Sequence, residues 1–210
     1  MKFKLILASL VAVLMFGSAN AAIDEGIEYK RVSPPQPTIT KKKIEVVELF
    51  WYGCPHCFHF EPHLKEWLAK KPDNVVFYRV PAVFNAGWAL HARAFYTAKS
   101  LGLFDDGKVE FHEALFASIH KDKNRLDNKK ALQKFFAGFG VSADDFNNTF
   151  ESFAVNTKVN RAVTLSKRYQ VEGVPSLIVN GKYRTDGPMG GGRKGMIKVL
   201  DFLIKKETKK

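Results

Sequence analysis

The chain contains two cysteines, Cys54 and Cys57, and Pro55 and His56 alone separate them. A dithiol at this spacing can cycle between a disulfide and two thiols, with a thiolate as the attacking species. A structural role is disfavoured because so small a loop constrains the unfolded chain little. A disulfide-stabilised scaffold also spreads several cysteines along its sequence. The pair therefore predicts thiol–disulfide exchange.

Two metal or cofactor interpretations of the same motif are weaker. The pair could supply half of a zinc site, with His59 and His63 following on a helix. A closed zinc site, however, takes ligands from two separated segments, and the sequence holds no second cluster. A c-type haem needs histidine directly after the second cysteine, where this chain has Phe58. We therefore expect no metal and no cofactor. The remaining histidines are expected to be ordinary, scattered side chains: His91, His112 and His120.

The segments around the cysteines predict the elements that position them. The upstream segment is mostly apolar and β-branched or aromatic, which is typical of a buried strand. Gly53 ends it, and a helix is predicted to begin at the cysteines because proline is tolerated in a first helical turn. Pro62 lies inside that helix and is expected to kink it. The predicted order is a strand over 44–52, a helix over 54–71 and a second strand over 74–80.

The predicted helix start makes the two cysteines unequal. Cys54 would lie where the free N–H groups of the first turn and the positive end of the helix dipole stabilise a thiolate. His56 adds N–H donors and, when protonated, a positive charge. Cys57 follows after nearly one turn and is expected to be more buried and less acidic. The sequence therefore predicts that Cys54 exchanges with the substrate and that Cys57 resolves the mixed disulfide.

An acidic residue, Glu48, interrupts the apolar strand six residues before Cys54. Strand alternation places it on one face with apolar neighbours only, so it is expected to be a buried carboxyl with a raised pKa. Its position suggests that it lies beneath the helix near Cys57, where it could accept the Cys57 proton. The alternative is a structural acid paired at a strand end. The other residues predicted for that face are Ile44, Val46, Phe50 and Tyr52.

The rest of the chain predicts an all-helical segment followed by a return to strands. Apolar residues recur at helical spacing in four consecutive segments: 86–101, 106–118, 128–139 and 142–153. A further helix over 155–169 leads to a strand over 176–179. Asn180-Gly181 then predicts a tight hairpin turn, and a last amphipathic helix covers 196–206. We predict an α/β protein with two parts of one domain, 22–83 and 155–210, around a helical insert over 84–154.

The N-terminal segment is typical of an export signal. A basic start precedes an apolar run over 5–17, and Ala19-Asn20-Ala21 supplies small residues for cleavage after Ala21. The alternative is a membrane anchor, but the run is shorter than the ~20 residues that a spanning helix needs. We therefore expect residues 1–21 to be a signal peptide and the mature protein to work in an oxidising compartment. The net charge of +12 invites a nucleic-acid partner, but export and the dispersed lysines argue against one.

The two most specific segments, 49–57 and 173–183, resemble those of a known family. The first reads LFWYGCPHC, and the second places Gly173-Val174-Pro175 directly before a predicted hairpin strand. Together with the helical insert and the signal peptide, they make the mature chain similar to DsbA-type periplasmic thiol:disulfide interchange proteins of the thioredoxin superfamily. One feature departs from the family pattern. Relatives often carry a lysine near the buried acid, on the strand after the active-site helix, whereas this chain has Arg79 and no lysine there.

The resemblance implies a thioredoxin fold with a mixed central sheet and an inserted all-helical domain. It also implies a cis Val174–Pro175 bond beside Cys54, where both residues would bind the substrate backbone. The implied clients are reduced, unfolded, exported polypeptides, and the implied reoxidising partner is a membrane-bound, quinone-linked protein similar to DsbB. The chain would act in the periplasm as a monomer, without nucleic acid.

Three functions remain open from the sequence. The first is a dithiol oxidase that introduces disulfides into exported proteins through Cys54 and Cys57. The second is a disulfide isomerase or reductase, which is disfavoured because isomerases usually add a dimerisation domain. The third is a non-catalytic, thioredoxin-like chaperone for exported chains, which the intact cysteine pair argues against.

Overall fold

The computed structural model describes residues 22–104 and 110–209. The predicted signal peptide, residues 1–21, lies outside the described residues. The predicted strand–helix–strand unit is present as β2 (Ile44–Phe50), α1 (Pro55–Leu68) and β3 (Val75–Pro81). Helix α1 ends earlier than predicted and continues through Pro62. Within the described residues, no helix is both long enough and apolar enough to cross a membrane.

Among the described residues five helices follow β3 in succession, and four of them begin at a capping side chain. The side chains of Asn85, Asn128, Ser142 and Ser152 each accept a hydrogen bond from a backbone N–H group of the helix that follows. The Ser152 cap explains why the fourth predicted segment ends early, because a new helix begins directly after it. The start predicted at Asp106 lies outside the described residues. The helices are α2 (Ala86–Ser100), α3 (Glu110–His120), α4 (Lys129–Ala137), α5 (Ala143–Phe150) and α6 (Phe153–Arg168).

The sheet is mixed and has β2 near its centre. Strand β2 pairs in parallel with β3 and antiparallel with β4 (Ser176–Val179). The hairpin partner β5 (Tyr183–Asp186) then pairs with a short edge strand, β1 (Lys30–Arg31), which the sequence did not predict. The strand order is β1-β5-β4-β2-β3. All seven residues of β2 are buried, so the strand that leads to the cysteines is fixed on both faces.

The turn between β4 and β5 shows why a glycine stands at its second position. Asn180 and Gly181 both have positive φ, 52° and 63°, as a tight hairpin turn requires. A Cβ atom on Gly181 would lie 2.1 Å from the carbonyl oxygen of Gln36. The loop before β2 therefore packs directly on the turn, and the predicted Asn180-Gly181 hairpin is confirmed.

Helix α1 contributes residues to two large apolar clusters, and the second of them contains both cysteines. One lies between the sheet and the helices α1 and α7 (Arg193–Thr208), with Phe60, Leu64 and Leu200 fully buried. The other is rich in aromatic rings and joins both cysteines to α2, α3, α4 and α5. The thiol chemistry therefore sits at the boundary between the sheet and the helical segment.

Candidate active site

The cysteines occupy the first turn of α1, as predicted. Cys54 is the N-cap residue with extended backbone angles, and Pro55 follows as the first helical residue. Gly53 is required before them, since a Cβ atom there would lie 2.3 Å from the ring of Trp51. Both cysteines are present as thiols. Cys54 retains 7% of its surface, whereas Cys57 has none.

The two thiols differ in acidity in the predicted sense. A hydrogen bond from the Cys57 thiol is the main influence that lowers the pKa of Cys54 to about 6. The backbone N–H groups of Cys57 and His56 reinforce it, and the charge of His56 contributes least. Burial raises the pKa of Cys57 well above its ordinary value. The largest single influence is therefore the neighbouring thiol, which the sequence analysis did not consider.

The Val174–Pro175 peptide bond is cis, as predicted, and it lies next to Cys54. The Cys54 sulfur is 3.4 Å from the carbonyl oxygen of Val174. A groove of about 970 Å³ opens beside this loop. Its lining includes His56, Val174 and Pro175 together with His63 from α1 and Met189 and Met196 from the C-terminal segment. The site thus offers an extended backbone edge and a partly apolar groove next to Cys54.

Glu48 is completely buried, as predicted, and its charge partner is Arg79. The parallel register pairs the two residues directly, and Arg79 Nε donates to Glu48 Oε2 over 3.1 Å. The other oxygen, Oε1, has no hydrogen-bond partner among the described residues. Burial, reinforced by the charge of Glu61 and opposed by Arg79, raises the pKa of Glu48 to about 8. The alternative of a structural acid paired at a strand end is correct in the pairing with Arg79 and wrong in the position, because Glu48 lies inside β2.

The structure adds residues that the sequence analysis missed. Glu61, four residues after Cys57 on α1, accepts from Arg79 Nη2 over 3.0 Å. His112 from α3 lies with Nε2 3.2 Å from Glu61 Oε1, and its Nδ1 is 2.8 Å from the Tyr52 hydroxyl. The expectation that His112 is an ordinary side chain is therefore wrong. A helical spacing from Cys57 could have indicated Glu61, but no local signal marks His112.

The other two scattered histidines have different settings. His120 contacts the carbonyl oxygen of Tyr52 through Nε2 over 2.8 Å and stacks on Phe58. His91 is buried and contacts the Leu126 carbonyl oxygen. Helix α3 therefore contacts Tyr52, just before Cys54, at two points. His120 reaches its main-chain carbonyl oxygen, and His112 reaches its hydroxyl group.

A central strand that leads into a dithiol at a helix start, beside a cis-proline loop, defines a thioredoxin-fold dithiol protein. The family model of the DSBA-like thioredoxin domain matches residues 45–202. The chain belongs to this family, and it is an oxidoreductase that exchanges thiols and disulfides with substrate proteins and a redox partner.

Relatives and solved structures agree over nearly the whole chain. The thiol:disulfide interchange protein DsbA of Pseudomonas syringae pv. tomato is 45% identical over 210 residues, which cover 99% of this chain and 96% of that protein. The crystal structure of Pseudomonas aeruginosa DsbA has a TM-score of 0.82 at 43% identity and covers 88% of this chain and 94% of that chain. The oxidoreductase DsbA of Xylella fastidiosa has a TM-score of 0.80 at 32% identity, with coverages of 87% and 96%. These findings confirm the predicted thioredoxin fold and oxidoreductase class.

Proposed function

We propose that the protein is a dithiol oxidase that introduces disulfides into exported polypeptides, with Cys54 as the exchanging thiol and Cys57 as the resolving thiol. The main support for this proposal is the difference in pKa between the two thiols. At pH 7 a thiol with a pKa of about 6 is mostly thiolate, and a stable thiolate is a good leaving group. The reduced protein is therefore favoured over its disulfide, which drives oxidation of the substrate.

The exchange proceeds in two steps with balanced bonds. A substrate thiolate attacks Cys54 of the disulfide form, the bond between Cys54 and Cys57 breaks, and Cys57 leaves as a thiolate that takes up a proton. A second substrate thiolate then attacks the substrate sulfur of the mixed disulfide, and Cys54 leaves as a thiolate. The substrate gains a disulfide, and the protein is reduced to two thiols.

Glu48 is proposed as the group that exchanges the proton with Cys57. With a pKa of about 8, Glu48 is mostly protonated at pH 7, so it can supply a proton when Cys57 is released. In the reverse step, when Cys57 attacks a mixed disulfide, the carboxylate takes the proton back. The unpartnered Oε1 of Glu48 supports this role because it leaves one oxygen free for proton exchange.

Substrates are proposed to bind as extended chains along Val174 and Pro175. The Val174 carbonyl oxygen lies 3.4 Å from the Cys54 sulfur, so a substrate backbone paired with this edge would lie beside Cys54. Main-chain pairing of that kind gives affinity with little sequence selectivity. His56 lines the adjacent groove and is proposed to stabilise the Cys54 thiolate. Unfolded polypeptides, whose backbone is free to pair, fit this edge better than folded proteins.

The setting of the reaction is proposed from the sequence and the family. Residues 1–21 act as a cleaved signal peptide, and the mature protein works in the periplasm as a monomer. A membrane-bound, quinone-linked partner similar to DsbB reoxidises the cysteine pair. The domain organisation is proposed as a thioredoxin-like domain over 22–83 and 155–210 with a helical insert over 84–154.

The test combines a redox titration with two peptide assays. The disulfide form should oxidise a reduced two-cysteine peptide, and its potential should be more oxidising than that of glutathione. Cys54→Ser and Cys57→Ser should both abolish oxidation of the reduced peptide, because neither can form the internal disulfide. With the oxidised peptide, Cys57→Ser should accumulate a mixed disulfide through Cys54, because the thiol that resolves it is missing. A potential below that of glutathione, with efficient reduction of insulin, would indicate a reductase. A chaperone would give a different pair of results. The native chain would not oxidise the peptide, and Cys54→Ser would prevent aggregation of an unfolded protein as well as the native chain does.

A further inference from the structure

Beneath the cysteines, two carboxyl groups share a single guanidinium. Arg79 donates through Nε to Glu48 and through Nη2 to Glu61, over 3.1 and 3.0 Å. The side chains of Arg79 and Glu61 are 15% and 14% exposed, and that of Glu48 is fully buried. Two carboxylates close together in such a setting do not ionise equally, because each charge opposes the other. One of them must hold the proton more tightly.

The hydroxyl of Tyr52 determines which nitrogen of His112 carries the proton. Burial raises the pKa of Tyr52 well above its ordinary value, so the hydroxyl keeps its proton and can donate it. Its hydrogen-bond partner is Nδ1 of His112, at 2.8 Å. Burial also lowers the pKa of His112, so the imidazole is neutral and carries one proton. With Nδ1 accepting, that proton is on Nε2.

The Nε2 proton of His112 faces Glu61 and not Glu48. Nε2 lies 3.2 Å from Glu61 Oε1, a contact at ion-pair distance rather than an aligned hydrogen bond. Although burial favours the neutral acid, three influences outweigh it and hold the pKa of Glu61 below its ordinary value: the positive charge that His112 carries whenever its imidazole is protonated, the contact of His112 Nε2, and the Arg79 guanidinium. Glu48 has the Arg79 contact alone, and its second oxygen is unpartnered within the described part of the chain.

We propose that His112 is a positioning residue for the thiol chemistry: it holds Glu61 ionised beside Arg79, so that Glu48 is the carboxyl that takes up and releases the proton. The inference rests on the proposed proton exchange between Glu48 and Cys57 and names the residue that directs it. A side chain of the helical segment thereby determines which acid serves the dithiol.

The other groups around Glu48 do not compete for this role. Cys57 and Tyr52 both have raised pKa values, so they stay protonated at neutral pH. Arg79 stays charged and is shared by both acids. The titratable and charged groups around the two acids come from four elements or their ends: Tyr52 after β2, Cys57 on α1, Arg79 on β3 and, beside Glu61 only, His112 on α3.

The test is a carboxyl carbon-13 NMR titration of the reduced protein, which reports each glutamate separately. In the native chain Glu48 should titrate near pH 8, and Glu61 should stay ionised through that range. In His112→Phe the Glu61 midpoint should rise by about one pH unit or more, and the proton should be divided between the two acids. Phenylalanine suits the site because the His112 ring packs against Phe50 and Phe116.

Two further variants make the result specific. His112→Gln keeps an amide donor and should restore the native pattern at least in part. Tyr52→Phe removes the hydroxyl that fixes the tautomer and should shift Glu61 in the same direction as His112→Phe. It is isosteric, so it tests the inference even if His112→Phe fails to fold. Glu66→Gln is the matched control on α1, because Glu66 is exposed and pairs with Lys70.

The inference fails if Glu61 takes the proton in the native chain, or if His112→Phe and Tyr52→Phe both leave the two titrations unchanged. The proposed function is tested separately by mixed-disulfide kinetics in Glu48→Gln. If those kinetics match the native chain while the NMR pattern is as expected, His112 directs the proton to Glu48 but Glu48 does not serve Cys57. The two failures are therefore distinguishable.

Discussion

The difference in unfolding free energy between the reduced and oxidised proteins should grow as the pH rises from about 6 to 9.0, the folded and unperturbed pKa values of Cys54. A group with a depressed folded-state pKa stabilises the fold above its unfolded pKa. That contribution is lost as the pH falls through the folded value. The oxidised protein has no thiol at this position, so it lacks the contribution.

The size of the effect follows from the separation of the two pKa values. Three units at about 1.4 kcal/mol each would give about 4 kcal/mol as an upper bound. Solvent screens the partly open thiol, so about 2–3 kcal/mol is expected for the full range. At pH 7, which is one pH unit above the folded pKa, about one of the three pKa units contributes. The unfolding free energy of the reduced form should therefore be higher by roughly 1 kcal/mol at that pH.

The raised pKa of Glu48 changes the unfolding free energy with pH in the opposite direction, so its contribution must be subtracted from the comparison. Burial raises its pKa from 4.5 to about 8, so its contribution to stability is present at low pH and is lost as the pH rises through that window. Because Glu48 is present in both redox forms, subtracting the two free energies at each pH removes most of its contribution. Cys57 stays protonated over the same range, since burial raises its pKa.

The assay is urea unfolding of both redox forms at several pH values across this range. Cys54→Ala in its reduced form is the control and should lack the gain shown by the reduced native chain. A difference that stays flat with pH, or that falls as the pH rises, would refute the argument. Such a result would mean that the folded protein does not favour the Cys54 thiolate, and the oxidase proposal would lose its main support.

Three further outcomes are expected. Glu48→Gln should slow attack by Cys57 on a mixed disulfide about 10²-fold, at the low end for general-base assistance, and should leave the first attack by Cys54 unchanged. If stopped-flow measurements show that the mixed disulfide decays at the native rate from low to high pH, this prediction is contradicted. Cys57→Ala should raise the pKa of Cys54 more than His56→Ser does, because the thiol hydrogen bond is the larger influence. A pH titration of thiolate absorbance measures the Cys54 pKa in both variants, and a larger rise in His56→Ser would contradict the prediction. Gly181→Ala should cost more than about 1 kcal/mol in urea unfolding, since the new Cβ would meet the Gln36 carbonyl oxygen and the backbone needs a positive φ. An unchanged midpoint would show that the loop before β2 can move.

The parts of the fold that the sequence predicted have local signals. Strand β2 is a continuous apolar run, α1 begins at a glycine and a proline, and the β4–β5 turn is marked by Asn180-Gly181. Strand β1 has no such signal. It consists of Lys30 and Arg31, which are exposed, and it exists because β5 offers an unpaired edge. Pairing across so large a sequence distance depends on the assembled sheet and not on the two residues themselves.

The site divides in the same way. The cysteines, Glu48 and the Val174–Pro175 loop could be predicted because each lies at a fixed offset from a recognisable strand or helix start. The polar contacts beneath the cysteines could not be predicted, since they join residues far apart in sequence: 31 positions separate Glu48 from Arg79, and 60 separate Tyr52 from His112. The register of β2 and β3 and the packing of α3 create these contacts. A lone histidine on a helical segment carries no sign of them.

The placement of Glu48 has a consequence for the direction of the chemistry. An exposed glutamate, with a pKa near 4.5, would be ionised at pH 7 and would have no proton for the leaving Cys57 thiolate. Full burial and the charge of Glu61, opposed by Arg79, raise the pKa of Glu48 to about 8, so the proton is present at neutral pH yet weakly enough held to be released. The same burial raises the pKa of Cys57, which makes that thiolate a strong acceptor. In the proposed mechanism, burial of the pair would therefore favour proton transfer from Glu48 to Cys57 when the protein gives up its disulfide, and the low pKa of Cys54 would favour the departure of Cys54 in the second step.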